Sequence, residues 1–307
     1  MFGKREWRVR GQTMIKSFAF PFVLAVAALL AFGVDINGTK AGLLEDALPS
    51  AEDACAGISL TRGLRYGDSE QNYIDVATTG NADSARRPVL LFVAGESFTD
   101  DGTSGDRTIR DQAMCLAAKN GLVGVAMSYR RAPADHWPPG AKDVAAAVSW
   151  VHQNVDLYSG DRGEIVVVGY AVGAFHVASF LAHKEFQDVD SSVAGVVLVS
   201  GIYRPGADAG EGERAYLGVD TSKYDIPGLT SVEVPIVLAW STADPPRLVT
   251  QGEKLKEFLC GAGHCPRSVV LTSRDSPASI FESNSSRESL ADKTRQLISQ
   301  VEARGLP

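Results

Sequence analysis

The sequence predicts an α/β fold with a mostly parallel central sheet and helices on both faces. Three observations carry that prediction. Short continuous apolar runs such as Val89–Val93 (VLLFV) fit strands buried on both sides. Between them come segments of helical periodicity, as in 141–154, where Val144, Val148 and Val151 share one face. Apolar strands alternating with helices read as βαβ units, whose crossovers force parallel pairing.

The elements follow in order. A strand is expected at Tyr73–Ala77 and another at Val89–Val93, then a helix over Arg107–Asn120 that ends before Gly121. Leu122–Tyr129 (LVGVAMSY) is the next buried strand, and Ala141–Asn154 a helix. Strand Glu164–Val168 (EIVVV) runs almost directly into a helix over Ala174–Ala182. Val193–Val199 and Pro235–Trp240 read as strands, Leu248–Leu259 as a helix, Ser268–Leu271 as a last strand and Leu290–Arg304 as a closing helix. Residues 202–232, rich in Gly and Pro, read as a surface insertion rather than a second domain, and residues 34–65 as a lead-in without clear period. The main domain is expected over 66–307.

The 307 residues carry 45% apolar and 22% charged side chains and a formal net charge of −7. That balance is ordinary for a globular protein and argues against nucleic acid as a partner. Residues 1–33 differ: Lys4, Arg5, Arg8, Arg10 and Lys16 precede the uncharged run Phe18–Phe32. A basic flank, a short apolar core and the small-residue site Ala31-Phe32-Gly33 describe a signal peptide. An uncleaved anchor is the other reading, although the run is short for a membrane span. Both place the domain outside the cytoplasm, periplasmic or secreted, with a membrane as partner only if the segment is uncleaved. Without residues 1–33 the formal charge falls to about −11.

Four cysteines in an exported chain suggest two disulfides. Cys260 and Cys265 close a tight loop (CGAGHC) and are expected to pair, which leaves Cys55 with Cys115. A metal site using His264 is the rival reading of that loop, but it needs further ligands nearby. No phosphate-binding loop or metal cluster is legible, so no cofactor and no metal are expected.

Strand 164–168 leads into Gly169-Tyr170-Ala171-Val172-Gly173. The frame G-x-A-x-G stands where a nucleophile turn G-x-S-x-G would place a serine at the carboxyl end of the sheet, above a helix N-terminus. Here the central residue is Ala171, and a methyl group cannot attack a carbonyl.

From Tyr66 to Val301 the chain resembles the carboxylesterase/lipase branch of the α/β-hydrolase family, in particular feruloyl-esterase-like domains. Tyr66-Gly67 with Tyr73–Val76 resembles the opening strand, and Ser128-Tyr129-Arg130-Arg131-Ala132-Pro133 the Y-R-L-A-P stretch. Pro139–Val144 with Trp150-Val151 resembles the helix before the nucleophile strand, and Gly173–Ala178 the helix after it. Ala94, Gly95 and Glu96 occupy the place of the family's His-Gly-Gly oxyanion segment, which with Val172 would supply backbone donors. Ser241–Pro246 resembles the acid-bearing turn, with Asp244 retained. In the register that also sets Asn284 on the family's asparagine, the histidine position is Ser276.

The resemblance therefore implies an α/β-hydrolase fold whose Ser–acid–His triad reads Ala171, Asp244 and Ser276. Serine cannot accept a proton near neutral pH, and triad loss costs about 10⁶-fold in turnover. The Glu96 carboxylate, unless it points to solvent, would also oppose a developing oxyanion by about 1–4 kcal/mol. His136, His152, His176, His183 and His264 are expected to be surface or satisfied structural residues, none of them on the loop after the last strand. Asp143 is expected to anchor its helix, and Trp137 and Trp150 to be core. The expectation is a catalytically degenerate hydrolase-fold protein that binds a small apolar ligand or ester or serves as an interaction module. The alternative is an active ester hydrolase in which Glu96 or Asp244 activates water.

Overall fold

The computed structural model describes residues 51–80, 86–95, 97–99, 107–187, 192–206, 208–218, 226–271 and 296–300. Its sheet has eight strands: β1 (Ile58–Arg65), β2 (Tyr73–Thr79), β3 (Arg87–Val93), β4 (Val123–Met127), β5 (Gly160–Tyr170), β6 (Gly195–Val199), β7 (Ile236–Ser241) and β8 (Arg267–Leu271). The order is β1-β2-β4-β3-β5-β6-β7-β8. β1 and β2 pair antiparallel, as do β2 and β4; every later pair is parallel. The main helices are α1 (Ala51–Cys55), α2 (Arg107–Lys119), α3 (Pro139–Asn154), α4 (Val172–Ala182), α5 (Glu211–Leu217) and α6 (Pro246–Gly261).

The predicted mostly parallel α/β sheet is present, and its strands are buried on both faces for the reason the apolar runs gave. Successive side chains point to opposite sides. Leu91, Val125, Val167 and Leu198 meet Val148 and Phe175 in one layer. Leu90, Phe92, Val166 and Val197 meet Ala113, Ala117 and Leu297 in the other. Trp137 and Trp150 pack, half-buried, on the first layer as expected. Asp143 is buried and accepts hydrogen bonds from the Arg130 backbone N–H (2.8 Å) and guanidinium (2.7 Å), which ties α3 to the loop after β4.

Two expectations need correction. The lead-in 34–65 is structured from Ala51 onward, and the sheet starts at Ile58, before the expected boundary at residue 66. β1 escapes notice because its register with β2 shifts between Thr61 and Leu64. There the Gly63 N–H donates to the Asp75 carboxylate (2.8 Å), and Arg62 lies against Asp75 and Asp111. An edge strand with a bulge and a charged side chain has no clean period of two. The second correction concerns residues 202–232: Ile202, Tyr203, Tyr216, Leu217, Ile226 and Leu229 all enter the core, so this stretch helps to build the domain.

Cys55 pairs with Cys115 and Cys260 with Cys265, as expected. Residues 1–50 and the end of the chain from 301 lie outside the described residues, and the expected signal segment 1–33 falls there; of the expected closing helix, 296–300 are helical. Among the described residues no helix is long and apolar enough to cross a membrane.

Candidate functional site at the strand ends

β5 ends in a sharp turn. Ala171 has φ +49° and ψ −114°, a conformation that L side chains rarely adopt, and α4 begins at the next residue. The turn is held by the Ala171 N–H donating to the Val199 carbonyl on β6 (2.9 Å), while the Ala174 N–H donates to the Ala171 carbonyl (3.1 Å). Two glycines permit the close packing around it. A Cβ on Gly173 would fall 2.1 Å from the Val93 carbonyl oxygen. A Cβ on Gly95 would fall 2.7 Å from the Ala171 methyl.

The structure thus brings Ala94, Gly95, Ala171 and Val172 together at the carboxyl ends of β3 and β5. Ala94 is buried, and its carbonyl accepts a hydrogen bond from the Tyr129 hydroxyl (3.0 Å). Tyr170, buried immediately before the apex, has its phenol pushed well above the ordinary range by burial and then by the Asp244 charge. Glu96 lies outside the described residues.

Asp244 sits in the turn after β7. Its carboxylate accepts from the Ser241 backbone N–H (2.8 Å) and from the Ser200 hydroxyl (2.7 Å). Burial raises its pKa, and these two hydrogen bonds oppose the rise. Sequence reading missed Ser200. It follows β6, one residue beyond the Tyr170–Val199 pairing, and is itself strained at φ +47°. The apex residue and Ser200 are therefore two non-glycine residues at positive φ on neighbouring strand ends. A small polar residue closing an apolar strand was the available signal; its partner 44 positions away was not.

No histidine bonds Asp244 among the described residues. His136 and His152 meet the Ala215 and Ser192 carbonyls, each at 2.7 Å, and His183 lies against Glu185. His176 corrects an expectation: it is neither exposed nor satisfied. It is fully buried among Phe98, Tyr129, Phe175 and Tyr216, and neither ring nitrogen has a hydrogen-bond partner among the described residues. Burial pushes its pKa down to about 3. Ser276 and Asn284 lie outside the described residues. Among the described residues no cluster of three or more metal-ligating side chains occurs.

The chemistry open to this arrangement is limited by residue 171. The apex offers backbone N–H groups at a helix start and a methyl where an attacking oxygen would stand. The Ser200 hydroxyl, hydrogen-bonded to the Asp244 carboxylate, is already donating its proton to it.

Comparison with known proteins places these features in company. Residues 74–201 match the BD-FAE family model. The chain is 34% identical to Esterase LipC of Mycobacterium tuberculosis over 113 residues, 36% of this chain and 27% of that protein. It is 30% identical to Esterase LipQ of the same organism over 212 residues, 63% of this chain and 48% of that protein. The matches thus span half or less of these relatives. Esterase B from Lactobacillus rhamnosis, solved with a bound inhibitor, superposes with a TM-score of 0.67 at 14% identity, covering 81% of this chain and 88% of that one.

Proposed function

We propose that the chain is a carboxylesterase-like member of the α/β-hydrolase family that binds carboxylic esters or related small apolar ligands at the strand ends without forming an acyl-enzyme at the apex. The observation that carries this reading is Ala171 at the strained β5–α4 turn. The fold and the backbone donors of an acyl-transfer site do not depend on the residue 171 side chain, whereas covalent attack does. Ser276 in the expected histidine position supports the same conclusion, because no imidazole would stand there to take the proton.

Hydrolysis of short p-nitrophenyl esters tests it. The native chain should give background rates, and the double variant Ala171→Ser/Ser276→His should gain measurable turnover. Native turnover well above background would overturn the proposal.

A second reading is favoured by the esterase names of the relatives and by the Ser200–Asp244 hydrogen bond. Ser200 Oγ would attack the acyl carbon while its proton passes to Asp244 Oδ2 and on to the departing alkoxide. Water would then cleave the acyl-Ser200 ester. Near burial of Ser200 counts against it. A fluorophosphonate adduct on the peptide carrying Ser200, lost in Ser200→Ala, would establish this route, and an unlabelled native chain would remove it.

We also propose an exported setting. Two closed disulfides support it, since such bridges persist in oxidising compartments.

A further inference from the structure

We propose that the groove between α6 and the chain following β6 is a binding site for an amphipathic organic carboxylate. The groove encloses about 490 Å³, within the range of small-molecule sites. It stands apart from the apex at Ala171 and opens beside the start of α6, two residues after Asp244.

Its wall is divided by chemistry. Ile226, Leu255 and Phe258 give an apolar side. Arg204, Arg247 and Lys254 bring three cations, against Asp208 as the one carboxylate among its described lining residues. Asp208 is already committed, accepting from Arg247 Nε at 3.1 Å. Arg247 is committed as well, because its two terminal nitrogens meet the buried Glu213 carboxylate, one at 2.7 Å.

Lys254 is different: it has no ion pair among the described residues, and it is exposed on the groove. Arg204 lines the same groove, with its backbone held in a fixed frame. The Gln251 side chain accepts from the Tyr203 and Arg204 backbone N–H groups (2.9 and 2.8 Å) and donates to the Arg204 carbonyl (2.8 Å). Its guanidinium lies over the Phe258 ring, 5.6 Å from the centroid. A planar guanidinium and an ammonium flanking an apolar trough match a carboxylate with a hydrocarbon body.

Long-range attraction does not explain such a preference. The chain carries −7 overall, so its summed field repels anions, and only charges within about a Debye length, ~8 Å, can select one. A neutral ester of the same size can accept a hydrogen bond from Lys254 but lacks the charge–charge attraction that a carboxylate adds.

The test is calorimetric titration of the full chain with octanoate and with 1-octanol. Octanoate should bind saturably and 1-octanol about tenfold or more weaker, as expected for one charge-assisted contact. Lys254→Glu and Arg204→Glu, both at exposed positions, should each weaken octanoate about tenfold or more without changing the circular dichroism spectrum. Equal affinity for octanoate and 1-octanol, unchanged octanoate affinity in both charge-reversal variants, or no saturable octanoate binding would each overturn the proposal.

Discussion

The Ser200 hydroxyl donates to Asp244 Oδ2 across 2.7 Å, so the carboxylate of the β7 turn is satisfied from the neighbouring strand. The carboxyl group is thereby part of the wall between two strand ends. Its electrostatics can be read by titration. Burial holds the folded pKa above the unfolded value, so Asp244 favours folding fully only below about pH 4, where it is protonated in both states. That advantage disappears as pH rises through the raised folded pKa. Asp244→Asn keeps an oxygen for Ser200 and Ser241 but cannot ionise. Its melting temperature relative to native protein should therefore climb between acid and neutral pH and then level off. Thermal unfolding across that range checks the sign.

Ala171 offers a second measurement. Holding a residue with a Cβ at φ +49° costs about 1–3 kcal/mol, and a glycine there would return about 0.4–1 kcal/mol of that through the entropy of the unfolded chain. Ala171→Gly should therefore stabilise the protein by about 1 kcal/mol. Urea unfolding would show it as a raised midpoint with an unchanged slope.

His176 predicts an acid-labile core. The unfolded imidazole takes a proton near pH 6.5, while the folded one resists it down to about pH 3. Stability from this residue is complete above pH 6.5 and falls by about 1.4 kcal/mol per pH unit below it. H176F should flatten the acid branch of the stability–pH curve. An acid branch as steep as in native protein would show that other groups dominate it.

The two disulfides should differ in worth. Cys55–Cys115 spans 60 positions and Cys260–Cys265 only 5. Loop entropy assigns them about 4 and about 2 kcal/mol. Double serine replacements compared by chemical denaturation would rank them, with Cys55→Ser/Cys115→Ser the costlier.

Much of the architecture was legible because burial on both faces leaves a simple mark. Runs such as VLLFV and EIVVV cannot be solvated, and a parallel sheet is where they fit. The apex was legible from two glycines flanking one residue between strand and helix. The disulfides followed from cysteine arithmetic in which one tight loop left one remaining pair. What could not be read was settled by distant partners. Arg110, a charged residue on α2, is almost wholly buried beside Asp75 and Tyr73. β1 hid behind its bulge. Ser200 looked like an ordinary strand end until the turn carrying Asp244 was folded against it. His176 lay on a helix of small and apolar residues, and only the packing of four aromatic rings reveals that its nitrogens meet no partner.

The Cys55–Cys115 bridge has a mechanical meaning. Among the described residues β1 is the outermost strand on its side, paired with β2 alone, and α1 lies just ahead of it. Tension applied from the amino side of residue 51 would otherwise peel β1 away one hydrogen bond at a time. The bridge ties residue 55 to a buried helix before that strand begins, so the load bypasses β1 and is shared by α2 and the sheet beneath it.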